Sequence, residues 1–64
     1  GGTVRRVGAD TVSVGGSELL ADHFALLLDT GEERDFWFTA SGDLLRVAIP
    51  SREIVATRTA LPPR

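Results

Sequence analysis

The stretch Arg34-Asp35-Phe36-Trp37-Phe38-Thr39-Ala40-Ser41-Gly42-Asp43-Leu44-Leu45-Arg46-Val47-Ala48-Ile49 decides how this chain is read. It holds the only Trp, two of the three Phe, and a compact polar turn between two apolar segments. Aromatic and β-branched runs on either side of a Gly-containing turn read as a β-hairpin, Glu33 to Thr39 against Leu44 to Ile49. An even-length loop, Ala40 to Asp43, sets Thr39 opposite Leu44, Phe38 opposite Leu45, Trp37 opposite Arg46 and Phe36 opposite Val47. That register gathers Phe36, Phe38, Leu45, Val47 and Ile49 on one face, whereas an odd-length loop pairs Phe38 with Arg46 and mixes the faces. The other face carries Asp35, Trp37, Leu44, Arg46 and Ala48, with Arg46 able to lie over the Trp37 ring for about 0.5–1 kcal/mol. The phenylalanine face is expected to form the core, and the Trp37 face to be left for a partner.

Working outward, Thr3 to Val7 and Thr11 to Val14 are short β-branched runs, and Gly8-Ala9-Asp10 between them reads as the turn of a first hairpin. Gly15-Gly16-Ser17 breaks the pattern; it lacks the Lys and following helix of a phosphate loop and reads as a turn. Glu18 to Leu28 is the one segment where helix competes, since Leu20, Phe24 and Leu28 fit a helical face; with Leu26 they also fit a strand face. Its shortness, its strand-like neighbours and the hairpin-type loop Asp29-Thr30-Gly31-Glu32 favour strand. Pro50-Ser51-Arg52 ends the Leu44 to Ile49 strand. Glu53 to Thr59 is a last strand, with Ile54 and Ala56 on one face and Val55 on the other. Leu61-Pro62-Pro63-Arg64 cannot pair for want of amide donors, so 60–64 is expected to be a flexible tail. The expected fold is all-β: a single antiparallel meander of five or six strands, curled into a half-barrel or small open barrel.

Sixty-four residues make one small domain, which buries only about 60% of its unfolded surface. With no Cys, neither disulfides nor thiolate metal sites support it. The Gly1-Gly2 start and the lack of any Met lead to the expectation of a fragment of a larger protein. A net charge of −2, with seven scattered Arg and no Lys, argues against nucleic acid as a partner. No apolar run reaches the roughly 20 residues of a membrane-spanning helix.

Asp22-His23 suggests acid–base chemistry, but strand neighbours point to opposite faces and cannot bond as a catalytic pair. His23 is therefore read as a surface or rim histidine, and one His with scattered carboxylates is too thin a ligand set for a metal. Asp29, Glu32, Glu33, Asp35 and Asp43 lack the spacing of a calcium loop and read as solvated turn charge. A non-enzymatic role without cofactor or metal is expected. Phe24-Ala25-Leu26-Leu27-Leu28 is apolar on both faces, which fits either a strand covered on both sides or one whose side lines an apolar ligand groove.

The succession His23 to Leu28, Asp29 to Glu32, Phe36-Trp37-Phe38, Ser41-Gly42-Asp43, Leu45-Arg46-Val47 and Ile54-Val55-Ala56 resembles bacterial envelope proteins of unknown function. Their curled sheet is similar to that of lipoprotein-carrier half-barrels. The resemblance, over Leu19 to Thr57, implies a periplasmic or surface location and no catalytic residues. The expected function is a binding or structural β-module. Phe24, Leu26, Phe36, Phe38, Leu45 and Val47 would face a lipid-like ligand or a protein surface. The alternative is an oligomerisation or accessory domain appended to an enzyme, a homo-oligomer formed through an outer face of Ala25, Leu27, Trp37 and Arg46 or through a sheet edge.

Overall fold

The computed structural model describes residues 1–60, so the Leu61-Pro62-Pro63-Arg64 segment lies outside the described residues. The chain forms one sheet of five antiparallel strands in the order β1-β2-β3-β4-β5, a meander that does not close into a barrel. The strands are β1 (Gly2–Val14), β2 (Ser17–Leu28), β3 (Glu33–Phe38), β4 (Leu44–Ile49) and β5 (Ile54–Thr57). A 3-10 turn, Pro50–Arg52, joins the last two. The segment where helix competed is strand along its whole length, because β2 finds ladder partners on both sides, in β1 and in β3.

The N-terminal hairpin read from the sequence is corrected. Gly8-Ala9-Asp10 does not turn the chain; β1 runs through it and pairs with β2 from Gly2 opposite Leu28 to Val14 opposite Ser17. A bulge between Arg6 and Gly8 absorbs Val7, and Gly8 sits there at φ 155°, which side chains avoid. The reversal comes instead at Gly15-Gly16, whose φ values of 57° and 83° supply the two positive angles of a tight hairpin turn. Because the bulge adds one residue, it swaps the faces. Val4 lies beside Leu26, whereas Val12 and Val14 point to the opposite side.

A second bulge changes the β3–β4 hairpin. Phe36 opposite Val47 and Trp37 opposite Arg46 occur as expected, but Phe38 faces Leu44 rather than Leu45. The loop closes on itself, with Thr39 N–H donating to Asp43 O and Gly42 N–H to Thr39 O, both at 2.9 Å. Leu45 becomes the extra residue of the bulge and turns to the Trp37 side, where it is 1% exposed.

The core therefore sits on the face opposite to the one expected. Val12, Val14, Ala21, Trp37, Leu45 and Ala48 form the buried cluster, with Leu19 against it. In a flat meander β1 and β4 would lie three strand spacings apart, about 14 Å. Here they touch, so the sheet curls toward the Trp37 face. The inside of a curl has little room, and alanines and valines around one large ring fill it, whereas phenylalanines would force it open.

Candidate interaction face

The curl leaves the other side of the sheet bare. In register across all five strands stand Arg6, Phe24, Phe36, Val47 and Ala56, so one row of this face runs from edge to edge. Beside that row are Val4, Leu26, Phe38, Leu44 and Ile49. None of these side chains is buried. Val4 is 67% exposed, and Leu20, further along β2, is 73% exposed. Val4, Phe24, Leu26, Phe36 and Phe38 line a broad open hollow of about 370 Å³. Phe24 meets Phe38 edge-on with ring centroids 6.2 Å apart, and Phe36 and Phe38 lie 6.4 Å apart, an arrangement that fixes the rings against one another. A second hollow of about 310 Å³, bordered by Leu44, Val47, Ala56 and Arg58, lies toward the β5 edge.

The face carries few charges; those on β1 and β3 are paired within the chain, and Arg58 at the β5 edge donates to the Leu44 carbonyl oxygen at 2.6 Å. Arg6 bonds Asp22 at 2.7 Å. Arg34 reaches Glu32 at 3.4 Å, and Glu32 also accepts from Ser51 Oγ at 3.1 Å and Arg52 Nε at 3.3 Å. The Ser51 hydroxyl above all, helped by the two guanidinium groups, holds the Glu32 carboxyl below its ordinary range.

The covered face has polar chemistry of a different kind. His23 stacks on Trp37 with centroids 4.2 Å apart, and Arg46 lies 5.2 Å above the same ring, as its register position led one to expect. Trp37 Nε1 donates to Asp10 Oδ2 at 3.2 Å. His23 Nε2 and Asp35 Oδ1 share a hydrogen bond of 2.7 Å. Two expectations are corrected here. Asp35 is not solvated turn charge but is 6% exposed, and His23 is not a free rim residue but is tied to it across β2 and β3. Among the described residues no hydroxyl bonds the His23 ring, and no group of three or more His, Asp or Glu could hold a metal ion. The pair links two strands over the core, and a carboxylate that would otherwise be buried without a partner is satisfied.

The sequence-predicted residues thus divide. Phe24, Leu26, Phe36 and Phe38 come together, Val47 joins them on the same face, and Leu45 does not. Of the outer set, Ala25 and Trp37 are buried, Arg46 covers the Trp37 ring, and Leu27 is 51% exposed on that side. Val4 was missed because its strand was read as half of a separate hairpin; the length of the Glu18 to Leu28 strand was the signal that a strand of similar length must lie beside it. No family model, curated protein or solved structure matches this chain. Among the described residues no helix is long and apolar enough to cross a membrane.

Proposed function

We propose that this chain is a non-enzymatic β-module that presents the phenylalanine face to a protein surface. The observation that carries the reading is the edge-to-edge apolar face on which no side chain is buried, built around Phe24, Phe36 and Phe38. Contiguous exposed apolar surface of this kind marks interaction sites in folded proteins. A protein surface fits better than a lipid-like ligand, because small-molecule sites enclose most of the ligand, and the hollow lined by Val4, Phe24 and Phe36 is broad and open. The resemblance over Leu19 to Thr57 carries the setting, the periplasm or surface of a bacterium.

The test uses highly diluted protein and a hydrophobic fluorescent dye. Wild type brightens the dye and Phe36→Asp does so several-fold less, while a long-chain fatty acid shows no saturable binding. Equal brightening by Phe36→Asp overturns the reading, and a stoichiometric fatty-acid complex moves the face to the lipid alternative.

A further inference from the structure

We infer that the surface seated on the phenylalanine face is a second copy of this chain, packed face to face as a two-sheet sandwich; this rests on the reading of that face as an interface. Three observations select the occupant. The first is area. The molecule measures 36 × 22 × 19 Å, so the outline of its broad side is at most about 800 Å², on the order of the share that each partner gives to a standard stable interface.

The second is charge. Two copies of a chain with net charge −2 repel unless the meeting surfaces are neutral. Two of the charges on this face are neutralised in place, Arg6 by Asp22 and Arg34 by Glu32, and Arg58 lies at the β5 edge bonded to the Leu44 carbonyl oxygen, so the centre around Phe24, Phe36 and Phe38 is uncharged. A face shaped for a strongly charged partner would carry an excess of one sign. The third is the thinness of the existing core. Its buried cluster consists of one Trp, one Leu, two Val and two Ala, while all three Phe of the chain lie on the open side. A second sheet at the usual spacing of about 10 Å would enclose them, with a twofold axis making the contact self-complementary.

Sedimentation equilibrium of the full chain from nanomolar to near-millimolar concentration tests the inference, with dye brightness per chain recorded alongside. Wild type passes from single to double mass as concentration rises, and dye brightness falls in step because the face closes. Phe36→Asp weakens association by about a hundredfold or more, since it would desolvate an unpaired carboxylate. Val4→Asp, at a side chain already open to solvent, does the same without threatening the fold. Leu27→Asp, on the opposite side of β2, leaves the doubling in place. Trp37 emission, from the covered face, reports that each variant is folded. A wild type that stays at single mass overturns the second-copy assignment. In that case bright dye on the dilute protein keeps the interaction face, and dark dye removes both readings. Doubling that survives Val4→Asp, or that Leu27→Asp abolishes, also overturns it.

Discussion

The two faces of this sheet are made from the same five strands, yet they solve opposite problems. The Trp37 face is closed by small residues, Ala21, Ala48, Val12 and Val14, around one ring and one leucine, and His23, Asp35 and the Trp37 indole are paired within it. The phenylalanine face carries all three phenylalanines and leaves them half open. Hydrophobicity alone would assign the core to the Phe side. What decides is curvature: a single curled sheet encloses its inner side, and the inner side accepts small residues. The bulky residues are left outside, where only a second surface can cover them.

The sharpest way to break this contrast is truncation on each side, measured by denaturant unfolding at dilution where the chain is single. Leu45→Ala costs about 2–5 kcal/mol, because the cavity opens inside the closed face, whereas Phe38→Ala costs on the order of 1 kcal/mol, since its ring is already half in water. Equal losses would erase the distinction. Next in size is Asp35→Ala, which leaves His23 without its partner and costs about 1–3 kcal/mol; Asp35→Asn, which keeps a hydrogen-bonding oxygen, recovers part of that loss. Gly15→Ala is smaller, about 1–2 kcal/mol for a side chain forced to positive φ. It also strains the curl itself, because the new Cβ would stand 2.8 Å from the Thr59 carbonyl oxygen.

The smallest effect is a pH dependence at the rim of the open face. Glu32 has its carboxyl pKa lowered from 4.5 by Ser51 and the two arginines, so it binds a proton less readily folded than unfolded. Its contribution is therefore complete above the unfolded value and fades as pH falls through the lower folded one. Glu32→Gln lowers the neutral plateau slightly and flattens the acid limb in that window, leaving the strongly acid end nearly unchanged. A profile identical to wild type would show that the contacts to Ser51, Arg34 and Arg52 carry no weight in solution.

Strand type, strand order and the central register were legible in the sequence because they rest on apolar runs bracketed by turns: Asp29-Thr30-Gly31-Glu32 and Ser41-Gly42-Asp43 flank Phe36-Trp37-Phe38, and pairing Phe36 with Val47 sets Trp37 opposite Arg46. The side of the sheet that becomes the core was not. Each of the two bulges inserts a single residue: Val7 exchanges the faces of the rest of β1, whereas Leu45 leaves Val47 in register and exchanges only itself and Leu44 between the two sides of β4. Nothing in local composition marks Leu45 as an extra residue rather than a ladder partner of Phe38; the loop hydrogen bonds of Thr39 and Asp43 settle it. The His23 to Asp35 bond was equally hidden, since the two residues are distant in sequence and meet only through the β2–β3 register. Phe24, Leu26 and Phe36 could be read because they lie on β2 and β3 clear of the bulged positions, whereas Val4 could not.

The central claim, that the Trp37 side is the core and the phenylalanine side is the surface, is tested most directly by hydroxyl-radical footprinting of the folded chain at high dilution, each residue normalised to its rate in the unfolded chain. The account predicts strong labelling of Phe24, Phe36 and Phe38 together with protection of Trp37 and Leu45. Protected phenylalanines beside a heavily labelled Trp37 would contradict it.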